Sequence, residues 1–312
     1  MPTPLDIPVP DLATQRTLVT GASDGVGFEI AARLARAGAE VVMPVRNTAK
    51  GETAAERIRD RVPGARIDVR RLDLSSLGSV EELATTLLRE GEPIHLLINN
   101  AGIMTPPTRQ VSPDGFELQL ATNHLGHFAL TARLQPLLRA GRARVVHQVS
   151  VAADERSVLW DDISAERKYD PMSSYSSSKI LVGLVGLELD RRAVAGSWGI
   201  RSMLSHPGIT PTNLLAAQPE MGRAQDTLAV RVIRFLSRRG LIVGTPQSAA
   251  LTAVYAGTSP DARGGHLYGP SGFRHLGGAP GEQAMYSRLT SEHDARRAWE
   301  LSEKLTGIRS VA

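Results

Sequence analysis

"RTLVTGASDGVGFEIAARLARAG", Arg16 to Gly38, holds three signals in succession. Arg16 to Thr20 is a short β-branched run that predicts a strand. Gly21, Gly25 and Gly27 then permit a tight turn, and beyond them Ile30, Leu34 and Ala37 recur at helical spacing until Gly38 offers a stop. A glycine loop between a strand and a helix lets the backbone come close to a bound anion. The helix N-terminus beyond it attracts phosphate through its free N–H groups and its dipole. Read alone, the loop is equally a structural turn. Its context is what raises it above one.

Working outward, the same alternation continues. "EVVMPV" (Glu40 to Val45), "ARIDVRRL" (Ala65 to Leu72), "IHLLINN" (Ile94 to Asn100), "ARVVHQVS" (Ala143 to Ser150) and "IRSMLSH" (Ile200 to His206) are strand-like, with amphipathic segments between them and a last short strand in "HLYG" (266–269). Repeated strand, helix, strand predicts an α/β fold, a parallel sheet with helices on both faces. Pro44 lacks the N–H an interior strand needs, so it is expected past the last paired residue. Ligands of such sheets gather outside the carboxyl ends of the strands, where the strand order reverses.

Composition narrows the classes. The 312 residues are 42% apolar and 22% charged, as in a globular protein, and are read as a single domain over 1–312. Lys and Arg outnumber Asp and Glu by 36 to 32, with no basic run, so no nucleic-acid partner is expected. With no cysteine there is no disulfide, thiol nucleophile or cysteine zinc site, and the expected compartment is cytoplasmic. The proline-rich start predicts a flexible segment over 1–14 rather than a signal peptide, and no apolar run is long enough for a transmembrane segment. His124 and His127 lie one turn apart without a third ligand at suitable spacing, so no metal is expected.

The strand ends carry the chemistry. An acid at the end of the second strand would bind a dinucleotide's ribose hydroxyl, but "MPVRN" has Val45 there, followed by Arg46, which can pair with a 2′-phosphate or remain solvated. Asp24 in the loop argues the other way, so NADP(H) is favoured and NAD(H) stays open. In "RLDLSS", Asp73 can accept from an adenine amino group or cap the next helix, a task Ser75 or Ser76 could also perform. "NNAG" (99–102) offers amides beside a cofactor or forms a plain turn.

"SSYSSSK" (173–179) has the composition of a linker, yet the apolar "ILVGLVGLELD" that follows favours a helix. Tyr175 and Lys179 would then share a face, the ammonium favouring the phenolate. Ser150, ending the fifth strand, can donate to a substrate oxygen as charge develops.

In order, "TGASDGVG", "LDLSS", "LINNAG", "TNHLGHF", "VVHQVS", "YSSSK" and "HPGITPTNL" form a pattern that resembles the short-chain dehydrogenase/reductase family from about Arg16 to Leu214. The long gap between Ser150 and Tyr175, with "DGFELQLATNHLGHF", is most similar to its retinol-dehydrogenase-like branch. The resemblance implies a Rossmann-type doubly wound sheet of about seven strands and a catalytic tetrad of Asn123, Ser150, Tyr175 and Lys179. It implies cofactor contacts from Gly21, Ser23, Asp24, Gly25, Val26 and Gly27; from Arg46, Asn47, Asp73 and Leu74; from Asn100, Ala101 and Gly102; and from Tyr175, Lys179, Pro207, Gly208 and Thr212.

The expected activity is NAD(P)(H)-dependent interconversion of an alcohol and a ketone or aldehyde, Tyr175 moving the proton. The competing classes are a non-catalytic NADP-binding regulator and a lyase or epimerase on the same fold. The small-molecule substrate is expected to be lipophilic, lined by the insertion 153–174 with Trp160, and by a lid over 212–240 with Leu214, Leu215, Met221 and Phe235. A homo-oligomer is compatible with all of this.

Overall fold

The computed structural model describes residues 6–208, 245–272 and 277–309. Strand β1 (Arg16–Val19) is buried along its length and feeds helix α1 (Gly25–Arg36), whose N-cap Asp24 accepts from Gly25 N at 2.8 Å. β2 (Glu40–Val45), α2 (Thr48–Arg61), β3 (Arg66–Arg71), α3 (Leu77–Glu90) and β4 (Leu96–Asn99) follow, with Asn47 and Ser76 capping α2 and α3. A π-helical turn (Leu120–Leu125) runs into α4 (Gly126–Arg133), then α5 (Gln135–Ala140) and β5 (Arg144–Gln148). Beyond lie a 3-10 turn (Val151–Asp154), the long α6 (Pro171–Ala195), β6 (Arg201–Ser205), α7 (Pro246–Thr258), β7 (Leu267–Pro270), β8 (Pro280–Gln283) and α8 (Glu292–Thr306).

The strands form one sheet in the order β3-β2-β1-β4-β5-β6-β7-β8, parallel except for β8. The chain winds outward from β1 to β3, returns to lay β4 on the other side of β1, and winds outward again. The reversal therefore falls between the ends of β1 and β4, beside the glycine loop. Successive strand residues face opposite ways: Leu97 joins the core beneath α3, α4, α6 and α8, while Ile98 joins the one beneath α1, α2 and α7. Both are fully buried, as expected of a sheet covered on both faces.

Three expectations need correction. The sheet has eight strands rather than about seven, because "PGEQ" pairs antiparallel with β7 from Leu267↔Gln283 to Pro270↔Pro280. Its polar, half-buried residues leave no alternating pattern to read. Pro44 lies inside β2, opposite Arg70 of β3. Its carbonyl accepts from Gly21 N at 3.1 Å, so its polar groups face β1, whose ladder with β2 has ended at Leu18↔Val42, and the missing N–H breaks no bond there. Within the segment expected to be flexible, Leu12 is buried, its N–H donates to Ala37 O at 2.8 Å, and Ile7 and Val9 pack on the core beside α1. No described helix is long and apolar enough to cross a membrane.

Candidate active site

The glycine loop leaves no room for side chains. Gly21 and Gly25 have φ of 68° and 57°, in the left-handed region. A Cβ on Gly21 would meet Ala101 Cβ at 2.9 Å, and one on Gly27 would meet Asn100 Nδ2 and Gly21 O at 2.5 Å. Thr20 ties the loop to the turn after β4: its hydroxyl accepts from Asn100 N at 2.9 Å and Ala101 N at 3.0 Å, while Asn100 Nδ2 donates to Thr20 O at 2.9 Å. Val26 packs on the core below.

At the end of β2, Arg46 is exposed and Asn47 accepts from Lys50 N at 3.0 Å. Asp24 does not stand as an isolated negative charge there, because Lys50 Nζ donates to its Oδ2 at 3.0 Å. After β3, Ser76 caps α3, and Asp73 Oδ1 accepts from both Ser75 N (2.9 Å) and Ser75 Oγ (2.6 Å). Leu74 is buried, its carbonyl 2.2 Å from where a Cβ on Gly126 would lie, so α4 begins against the end of β3.

Asn123 sits in the π-helical turn, whose first amide, Leu120 N, donates to the buried Glu117 carboxylate at 2.8 Å. Its Oδ1 accepts from Ile103 N at 2.8 Å, and its Nδ2 donates to Ile103 O and Ser178 Oγ, both at 3.0 Å. "SSYSSSK" is helical, as expected: Asp170 caps α6 through Ser173 N at 2.7 Å, Pro171 occupies its first turn, and Tyr175 and Lys179 lie one turn apart. Lys179 Nζ donates to Gln148 O at 2.9 Å. A Cβ on Gly102 would come within 3.5 Å of that amine and 3.2 Å of Asn123 Oδ1, so the three residues converge. Ser150, at the N-cap of the 3-10 turn, accepts from Ala152 N at 3.3 Å, and its hydroxyl acts on the Tyr175 phenol to lower its pKa.

The electrostatics differ from the expectation. Burial raises the Tyr175 phenol above its ordinary pKa, and the Ser150 hydrogen bond only partly offsets this. The amine expected to favour the phenolate is itself pushed down to about 8 by burial. The phenol therefore keeps its proton more firmly than a free tyrosine does.

Past β6, Gly208 has φ of 71° and donates from its N–H to His206 Nδ1 at 3.3 Å, next to Pro207. Thr212 and the whole 212–240 stretch lie outside the described residues, with Leu214, Leu215, Met221 and Phe235. Trp160 packs against the core with the Arg297 guanidinium 4.2 Å from its ring centre, so one face of the ring is already covered.

The family model described as short chain dehydrogenase matches residues 15–222. The chain belongs to this family. Over 295 residues it is 33% identical to human retinol dehydrogenase 13, covering 94% of this chain and 85% of that protein. It is 34% identical over 298 residues to mouse polyprenol dehydrogenase, covering 93% and 83%. The crystal structure of a putative uncharacterized protein from Mycobacterium paratuberculosis superposes with a TM-score of 0.77 at 32% identity, covering 97% of each chain. This short-chain dehydrogenase is thus an NAD(P)-dependent oxidoreductase acting on CH–OH donors, similar to the retinol-dehydrogenase-like branch, as its motifs implied.

Three residues join the site that are given no part in it by the sequence: Thr20 and His127, which lie inside "TGASDGVG" and "TNHLGHF", and Lys50. Thr20 stands just ahead of the first glycine and Lys50 one turn beyond Arg46, positions that are signals in themselves. The spacing of His127 from His124 suggests only packing or half of a metal site, and nothing in it reveals the partners that His127 has.

Proposed function

We propose that this short-chain dehydrogenase interconverts a lipophilic alcohol and its ketone or aldehyde with NADP(H), Tyr175 giving the proton to the carbonyl oxygen in reduction and removing it in oxidation. The observation that carries this reading is the buried Tyr175 on the helix that also bears the buried Lys179, one turn away, with Asn123 and Gly102 converging on that amine.

A dinucleotide fits the residues present: Gly21 and Gly27, where a methyl group would strike Ala101, Asn100 and the Gly21 carbonyl, set the tight turn and the close packing of α1, and Gly25, at φ of 57°, leaves the backbone at the start of α1 without a side chain. Gly21 to Gly27, with Ser23 and Val26, would hold the phosphates at the start of α1; Asp73 and Leu74 the adenine; Asn100 to Gly102, Pro207 and Gly208 the nicotinamide half. When bound, the dinucleotide supplies or takes up the hydride. Tyr175 holds a proton at neutral pH, as an ordinary phenol does, and burial tightens that hold. Ser150 orients that phenol and can donate to the substrate oxygen as negative charge builds there. Lys179 spends one donor on Gln148 O and, when protonated, stabilises the phenolate that Tyr175 leaves. Asn123 holds Ile103 and Ser178 in place beside it.

The preference for NADP(H) is supported by the absence of an acid at Val45, by Arg46 next to it in the chain and by Lys50, which pairs with Asp24. A lipophilic substrate is supported by the similarity to proteins named for retinol and polyprenol. A panel of alcohols and carbonyls assayed with NADPH and NADH tests the reading: turnover of apolar members, faster with the phosphorylated cofactor, is expected. Cofactor binding without turnover of any member would transfer the case to a binding protein.

A further inference from the structure

His127 is 3% exposed and both its ring nitrogens are engaged. Nδ1 lies 2.9 Å from the backbone oxygen of Asn123, and Nε2 lies 2.9 Å from Thr20 Oγ1. A carbonyl oxygen can only accept, so Nδ1 carries the proton. Burial keeps the ring neutral, its pKa lowered to about 4, so Nε2 is bare and accepts the Thr20 hydroxyl proton. The Thr20 oxygen is then left as the acceptor for Asn100 N and Ala101 N, which it is at 2.9 and 3.0 Å. Ile98 O, 3.4 Å from Thr20 Oγ1, is a longer second acceptor for the hydroxyl proton, so the tautomer is fixed at the other end of the path: reversing it would set two acceptors against each other at Asn123.

The path joins two parts of the site that the sequence keeps far apart. At one end is the turn after β4, which closes over the glycine loop; at the other is the π-helical turn, where Gly126 N reaches five residues back to Ala121 O and the Asn123 side chain clamps Ile103 and Ser178. We infer that His127 is a positioning residue of the reaction: in its Nδ1-protonated neutral form it locks the dinucleotide-binding turn, through Thr20, to the π-helical turn that sets Asn123. This rests on the functional reading above, because it assigns one end of the path to cofactor binding and the other to turnover.

The two ends can be cut separately. His127→Asn keeps an N–H near the Nδ1 position but cannot reach Thr20, whereas His127→Gln keeps an acceptor near Nε2 and loses the Asn123 bond. NADPH dissociation constants measured by fluorescence titration, with kcat and KM on the same samples, should split. His127→Asn is expected to weaken NADPH binding about tenfold, with kcat at saturation changed less, and His127→Gln to lower kcat about tenfold with NADPH binding within about twofold of wild type, each corresponding to about 1.4 kcal/mol. Parallel changes in both variants, tracking their melting temperatures, or no change in either, would reduce His127 to a packing residue. A nitrogen-15 spectrum of histidine-labelled wild-type protein gives a readout free of any folding defect: a neutral Nδ1–H tautomer is expected for the slowest-exchanging ring, confirmed by its loss in His127→Gln, and an Nε2–H tautomer overturns the inference. If wild-type protein bound neither NADPH nor NADH, the functional reading would fall, while the tautomer would still decide the linkage.

Discussion

Lys179 Nζ donates to the backbone oxygen of Gln148 at 2.9 Å, so the buried amine is anchored to the end of β5 rather than to Tyr175. Burial holds its pKa at about 8. In free enzyme the charge is lost above that pH, and kcat/KM for carbonyl reduction should fall through a limb near pH 8. Lys179→Met should remove the limb and cost about 10²- to 10⁴-fold in kcat/KM. Lys179→Arg keeps its charge throughout, so any residual activity should show no limb there.

Ser150 lowers the pKa of the Tyr175 phenol against the effect of burial. Ser150→Ala should raise the Tyr175 pKa further and lower kcat by roughly 10²-fold, the scale of losing one donor to a developing oxyanion. Tyr175→Phe should lose turnover while binding NADPH as wild type does. Stopped turnover together with lost binding would point instead to a collapsed site.

Substitution in the loop should separate shape from charge. In Gly27→Ala the added methyl meets a backbone oxygen and Asn100 Nδ2 at 2.5 Å, neither of which can yield without opening the β1–β4 reversal. NADPH binding should be abolished and stability should drop by about 1–3 kcal/mol, measured by denaturant titration. Arg46→Ala and Lys50→Ala should instead leave stability intact and raise KM for NADPH about tenfold or more, with KM for NADH little changed, as expected for losing a charged hydrogen bond of about 1.5–3 kcal/mol.

Three neighbouring buried histidines make the fold sensitive to mild acid. Burial lowers His124, His127 and His147 to about 3, 4 and 3, against 6.5 for a free imidazole. Below pH 6.5 the unfolded chain takes up protons that the folded one refuses, so stability falls as pH falls. At pH 5 each ring costs on the order of 2 kcal/mol at most. Glu117 and Asp190, whose carboxyls burial raises, act in the opposite sense. Urea midpoints between pH 5 and 7 should show the net decline, and His124→Gln should make it shallower.

The winding of the sheet and the helix at "SSYSSSK" are legible in periodicity and glycine spacing, because both arise from local signals repeated many times along the chain. The place of Pro44 is not, because whether a missing N–H matters depends on which neighbour it faces, and that is set by where β1 stops. β8 is invisible to patterning because an edge strand of proline, glycine and glutamate buries too little to imprint a period. The Tyr175 and Lys179 positions are legible, but their protonation is not: spacing gives proximity, while desolvation and the Gln148 carbonyl come from other elements. The pairing of Asp24 with Lys50 and the two partners of His127 are likewise products of tertiary closure.

Helix α8 covers the back of α6: Trp299 meets Phe128 edge-on at 5.2 Å, the Arg192 guanidinium lies over the same indole at 4.7 Å, and Ser302 bonds His124 at 2.7 Å. During synthesis α6 begins to leave the ribosome more than a hundred residues ahead of this cover. Until α8 arrives, a nascent chain must carry an apolar helix face open to water or to other chains, which makes the interval between translating Tyr175 and translating Trp299 the stretch in which this enzyme depends most on being shielded from aggregation.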